Sequence, residues 1–358
     1  MERFSSIESL ITLAIALAVV VLGAVWVGRQ QTRYARLAAW TVALTFVVVV
    51  VGAFVRLTDA GLGCPDWPGC YGDLTPATAK SEILAAESAN PFGPVTMAKA
   101  WKEMGHRYLA AILGSLIIAL AIAAWRGRRT WPASPWLATT IVGVVILQGA
   151  FGAWTVTLLL KPAIVTIHLI GGMLTLSLLM WLALLARPAA VLPAPDVAKR
   201  LITFAWFTLF IIAAQIVLGG WVSTNYAALA CTDFPTCQGV WVPPMNFDHA
   251  FDIIRKLGMT KDGAPIPFEA LTAIHFTHRV FALVVVVVVI AFALRLWKTA
   301  GFEKLGLWLL LLLVLQVALG ISNVVFGLPL AVAVAHNGGA ALLLLTLVTV
   351  LTRLQRRA

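Results

Sequence analysis

The chain is 358 residues long, 61% hydrophobic and only 11% charged, with a formal net charge of +11. So much apolar sequence excludes an ordinary soluble domain, because runs of about 20 apolar residues are what a hydrocarbon interior requires of a spanning helix. The positive balance sits in the connections between such runs, so it orients the chain in a membrane and does not mark a nucleic-acid surface.

Apolar runs predict nine spanning helices, at 6–28, 35–58, 100–125, 135–158, 162–187, 201–224, 268–297, 302–328 and 329–354. The first follows the weakly charged start Met1-Glu2-Arg3 and has no small-residue cleavage site after it, so an uncleaved helix is expected rather than a secretory signal. The run 268–297 exceeds the minimum span, and its first residues should project from the membrane. Cations mark one side: Arg29, Arg33 and Arg36; Arg126, Arg128 and Arg129; Arg187, Lys199 and Arg200; Arg295, Lys298 and Lys304; Arg353, Arg356 and Arg357. The positive-inside rule makes these regions cytoplasmic. The segments near 59–99 and 225–267 then lie outside, with the N-terminus outside and the C-terminus inside.

All four cysteines, Cys64, Cys70, Cys231 and Cys237, fall in the two external segments. An oxidising compartment such as a bacterial periplasm lets disulfides persist. Three pairings are formally open. Local closure, Cys64–Cys70 and Cys231–Cys237 with Pro68 and Pro235 between, is the expected one, as a loop staple in preference to a redox relay. A zinc site would have to span both loops with His249 as its sole histidine.

The chain repeats itself. Gly52, Cys64, Asp66, Trp67, Pro68, Cys70 and Gly72 recur, at an offset of 167, as Gly219, Cys231, Asp233, Phe234, Pro235, Cys237 and Gly239. His106-Arg107 recurs as His278-Arg279, and Gln148, Gly152 and His168 recur as Gln316, Gly320 and His336. Each copy has four spans, an even number, so both enter the membrane in the same sense. The expected fold is an all-α integral membrane protein. It has two tandem four-helix transmembrane bundles, related by a pseudo-two-fold axis along the membrane normal, plus one extra N-terminal transmembrane helix. The boundaries are 1–33 for the extra helix, 34–190 for the first unit and 191–358 for the second, joined through the Pro- and Ala-rich stretch 188–200.

Four histidines, His106, His168, His278 and His336, fall at one depth in the outer half of the bilayer, two per unit. Ionisable groups inside spans are expensive and usually functional. Neutral imidazole is a common axial ligand of haem iron, so two pairs imply two iron centres. A ring satisfied by a helix–helix hydrogen bond explains one such histidine better than it explains four. Gly171, Gly172, Gly338 and Gly339 beside two of the rings suit either a flat ligand or ordinary helix packing. Arg107 and Arg279 could pair with haem propionates or snorkel to headgroups. The copies differ three residues before the His-Arg pair, where Glu103 stands in one and His275 in the other. Glu103 could move protons or pair with Arg107 or Lys102. His275 competes with His278 as ligand, and the repeat favours His278.

These residues resemble the haem A synthase family of respiratory membranes, from about residue 35 to 354. The motifs are Glu103-Met104-Gly105-His106-Arg107, the second pair His278-Arg279, the single histidines His168 and His336, and Gly63-Cys64-Pro65-Asp66-Trp67-Pro68 with Cys70. The resemblance implies an oxidoreductase of the bacterial inner membrane that converts haem O into haem A for terminal oxidases. The methyl group at ring position 8 would be hydroxylated in successive steps and the diol would lose water to a formyl group. His278 and His336 would hold a haem b cofactor, and His106 and His168 would bracket the substrate haem, with Glu103 as catalytic carboxylate. The partners implied are the lipid bilayer, a haem O synthase handing over substrate and an unidentified electron donor; a homo-oligomer is left open. Two rivals stand beside it. A di-haem membrane cytochrome would use the same ligands without the lone carboxylate. A haem-handling maturation factor would be expected to carry a tryptophan-rich external loop, which this chain lacks.

Overall fold

The computed structural model describes residues 32–129, 134–187 and 195–355. The expected helix at 6–28 lies outside the described residues. Among those residues, eight helices are long and apolar enough to span a membrane: α1 (Arg33–Leu57), α2 (Met97–Arg126), α3 (Pro135–Thr157), α4 (Pro162–Leu185), α5 (Pro195–Thr224), α6 (Phe268–Trp297), α7 (Glu303–Val325) and α8 (Leu330–Gln355). Their starts have local causes. Thr32 and Thr96 cap α1 and α2 by accepting hydrogen bonds from the Ala35 and Lys99 amides. Pro135 and Pro162 open α3 and α4, where a missing N–H is harmless.

Two helices start clearly earlier than the sequence reading has them: α5 begins at Pro195, six residues before 201 and inside the expected linker 188–200, and α2 begins at Met97. The Thr96 cap starts α2 at Met97, so it has 30 residues, the same as α6. Both second helices therefore project beyond the bilayer. His106 stands nine residues into α2, about 14 Å along its axis at about 1.5 Å per residue.

Each unit is a ring of four helices in chain order. α1 packs on α2, α2 on α3, α3 on α4 and α4 back on α1; α5 to α8 repeat the pattern. The units meet through α4 and α8, and each of these also packs on the first helix of the other unit. α8 is the most enclosed span, 61% buried, whereas α3 is 11% buried and turns Ile146, Leu147 and Trp154 outward. An apolar outer face is what lipid demands. Leu209, Ile216 and Leu342 pack against the cores of both units, so the two cores meet at the dyad.

A finer repeat lies inside each unit. Gly52, Gly152, Gly219 and Gly320 sit on α1, α3, α5 and α7. Seven residues after each, the chain enters the left-handed region, at Asp59 (φ 49°), Leu159 (φ 52°), Tyr226 (φ 55°) and Gly327 (φ 67°). Amides of Ala60, Leu160 and Leu328 then bond back to Val55, Thr155 and Asn323 carbonyls. The eight described spans thus form four helix hairpins, which turn at the same end of the bundle in the same register. Only the connection differs, long at 58–96 and 225–267, and short at 158–161.

The two long connections share one construction. Cys64 bonds Cys70 and Cys231 bonds Cys237, so both sulfur pairs close locally. Between them the Asp66 carboxylate accepts from the Tyr71 and Gly72 amides, as Asp233 does from Gln238 and Gly239. Gly72 and Gly239 have φ of 80° and 76°, which suits glycine and explains why both copies place it there.

Candidate functional site

Each of the four histidines lies against a glycine of the preceding helix. A side-chain carbon built at Gly52 would sit 3.1 Å from His106 Cε1; at Gly152, 3.2 Å from His168; at Gly219, 3.0 Å from His278; at Gly320, 3.1 Å from His336. These contacts are tighter than a methyl group tolerates, so the missing Cβ is what lets each ring settle onto its neighbour's backbone. His106 interacts electrostatically with His168, and His278 with His336, so each unit brings its own two imidazoles together. The Nδ1 atom of every one of these rings is buried with no partner among the described residues. Buried polar atoms are rarely left so. The four rings are alike at Nδ1, whereas the Nε2 atoms of His278 and His336 also lie 3.5 and 3.4 Å from Gln215 and Gln316 Nε2. Imidazoles left unsaturated in pairs are compatible with two bis-imidazole metal sites.

Glutamines brace three of the four seats. Gln148 Nε2 donates to the His168 carbonyl at 2.5 Å, Gln215 Nε2 to that of His278 at 3.1 Å, and Gln316 Nε2 to that of His336 at 2.9 Å. Each glutamine stands four residues before its helix's glycine. Gly171 and Gly339 receive the Oε1 atoms of Gln148 and Gln316, since a Cβ there would lie 2.1 and 2.2 Å from them. Gly172 faces Val49, and Gly338 faces Val50 and Phe46 of α1. All four glycines that a flat ligand might have claimed therefore serve helix contacts. Sequence reading used Gln148 and Gln316 only as repeat markers and passed over Gln215; the recurrence of Gln-x-x-x-Gly on three helices was the available signal.

Glu103 and His275 turn out to be structural counterparts. Glu103 is 4% exposed; its Oε2 accepts from the Cys64 amide at 2.9 Å and its Oε1 from Arg107 Nη2 at 2.5 Å. His275 Nδ1 accepts from the Cys231 amide at 3.3 Å. Each anchors the first cysteine of its loop to the second helix of its unit. His275 thus faces the loop, and His278 is the ring that faces His336.

The arginines face the loops too. Arg107 Nη1 donates to the carbonyls of Asp66 at 2.9 Å and Gly69 at 2.5 Å, closing the disulfide turn onto α2. Arg279 Nη2 donates to Pro235 and Thr236 carbonyls at 3.2 and 3.1 Å. Its Nη1 is buried and has no partner among the described residues. Arg107 is therefore fully engaged within the chain, whereas Arg279 keeps one donor free.

Comparison with known proteins agrees with this architecture. The COX15-CtaA family, described as cytochrome oxidase assembly protein, matches residues 35–348. A heme A synthase of Shewanella oneidensis is 43% identical over 310 residues, 87% of this chain and 93% of that protein. Heme A synthases of Methylobacterium radiotolerans and Halalkalibacterium halodurans are 32% and 29% identical, over 88% and 87% of this chain and 88% and 93% of their own lengths.

Proposed function

Since the chain belongs to the haem A synthase family, COX15-CtaA, we propose that it is a membrane oxidoreductase that oxidises haem O to haem A. The methyl group at ring position 8 is hydroxylated twice, each time losing two electrons to an external acceptor and gaining one oxygen atom from outside the chain, and the resulting diol loses water to leave a formyl group. The unit at 34–190 takes haem O between His106 and His168. In the unit at 191–358, His278 and His336 would hold haem b. The unsaturated rings and their glycine seats support both assignments. Bound in the second unit, haem b supplies a redox-active iron for passing electrons. Arg279 Nη1 is the donor free to take a propionate there. Arg107 would first have to give up its loop carbonyls.

Glu103 is the observation that supports this division of the units. Among the described side chains, it is the one carboxylate placed beside a histidine pair on a span, and the second unit substitutes His275 at the same post. Its Oε2 and Oε1 atoms are held by Cys64 N–H and Arg107, so the carboxylate is fixed in place one turn outside His106. Exchange of the Arg107 bond for a proton at Oε1 lets it accept or return a proton beside the substrate haem.

The chain is a multi-pass membrane protein. We place it in the bacterial inner membrane with the disulfide loops in the periplasm, receiving haem O from the synthase that makes it. Expression in a host that accumulates haem O and lacks this activity tests the reading. Haem A among the extracted haems, identified by chromatography and mass, is the expected result. Haem b and haem O alone would instead support a di-haem cytochrome.

A further inference from the structure

The two units present the same donor set, two imidazoles each, yet on the reading above they must treat their haems differently. A cofactor is kept through every turnover, whereas a substrate has to leave as product. Identical iron ligands cannot by themselves produce that difference, so some other contact must weaken one site. The hairpin repeat shows where to look. Gln148, Gln215 and Gln316 stand four residues before Gly152, Gly219 and Gly320, and each donates to the carbonyl of the histidine seated on that glycine. The fourth hairpin keeps the glycine, Gly52, against His106. Four residues before it stands Val48. Valine has no hydrogen-bonding side-chain group, so α1 cannot brace the His106 carbonyl as the other three helices brace theirs.

We propose that Val48 makes His106 the yielding ligand of the N-terminal unit, the side on which haem is exchanged, while glutamine-braced His168 stays in place and braced His278 and His336 retain their haem. The inference rests on the assignment of two haem sites. A hydrogen bond between helices in an apolar medium resists their separation, because the alternative leaves an amide unpaired. α1 and α2 lack that brace at the level of His106, and their contact there is the packing of a ring on Gly52. Ring and helix can move together away from α1 without stranding an amide group. The outer end of α2 also carries Glu103 and Arg107, so such a movement takes the Cys64–Cys70 loop with it.

The test is haem transfer from the purified holoprotein to excess apomyoglobin, following the haem O or haem A of the first unit and the haem b of the second by their separate absorbance. Wild type should lose the first faster. Val48→Gln should slow that loss by about three- to fifteen-fold, the range expected of one interhelical bond in a membrane, and leave haem b loss unchanged. Gln316→Val and Gln215→Val should speed haem b loss by a similar factor, and these two decide the matter if Val48→Gln fails to fold. Hydrogen exchange of the haem-free protein supplies a second readout, with α2 amides near His106 exchanging faster than α6 amides near His278. Unchanged loss rates in the folded Val48 and Gln variants would overturn the inference while leaving the two haem sites intact. Protein isolated without any haem would overturn the sites themselves.

Discussion

Glu103 and His275 carry out the same structural task with different chemistry, which makes their exchange informative. Glu103→Ala removes both the loop anchor and the carboxylate, and proton-transfer groups of this kind are worth about 10²–10⁴-fold in rate. Haem A formation should fall by at least about a hundredfold, measured by haem extraction, with the haem b spectrum retained. Glu103→His copies the arrangement that already holds Cys231 in the second unit. It should restore loop protection against thiol reductants and leave haem A formation as low as in the alanine variant. Recovery of product in Glu103→His would mean that anchoring, rather than proton transfer, is what the site needs. The sequence singles out Glu103 and the four histidines plainly, because an ionisable residue within an apolar run is conspicuous. It also offers the Glu103–Arg107 pair that the fold forms, but misses what else Arg107 does. A guanidinium beside a ligand histidine reads as an anion partner, and only folding brings the carbonyls of Asp66 and Gly69 within its reach.

At the scale of a helix pair, the histidine seats depend on the absence of a methyl group. An alanine at Gly219 would place its Cβ 3.0 Å from His278 Cε1. Alanine gains about 1 kcal/mol of helix propensity over glycine, but overpacking a filled contact costs about 1–3 kcal/mol. The clash therefore dominates, and the ring must shift by a few tenths of an ångström. Gly219→Ala should lower haem b retention and alter its absorption, whereas Gly114→Ala, with nothing within 4 Å of its Cβ, should be neutral or slightly stabilising. The eight described spans are legible in the sequence to within a few residues, apart from the start of α5 six residues early, since long apolar runs permit little else. The four-hairpin repeat was not. Its turn position reads Asp59, Leu159, Tyr226 and Gly327, and three of these are not glycine. The connections after them also differ so much in length that the shared register is visible only in the backbone.

Across the described residues, the loop-bearing face is tied at the dyad by repeat-equivalent residues. Arg56 donates to the Ser223 carbonyl at 2.6 Å and Tyr226 donates to Asp59 at 2.8 Å, each pair 167 residues apart, with the guanidinium 3.9 Å above the Tyr226 ring. Thr166 and Thr224 meet in the buried layer below. Burial raises the Tyr226 hydroxyl above its ordinary 10.0, with Arg56 opposing. A raised value means that the neutral phenol stabilises the fold below pH 10 and that this contribution is lost as pH climbs past the folded value. Tyr226→Phe should cost about 1 kcal/mol at neutral pH, read from denaturation in detergent, and the gap from wild type should close in strong alkali. The pairing of the units through α4 and α8 could not be read from sequence, because all eight spans are apolar on every side. The hairpin symmetry within one unit has a chemical corollary. On the proposed reading, two like hairpins would grip a disc from opposite faces, and the grip alone would not tell one edge of a porphyrin from another turned half a revolution. Choosing a single methyl among several would fall to whatever breaks that likeness, and in the first unit the first hairpin carries the stapled loop, Glu103 and Val48 where the second has a four-residue turn and Gln148.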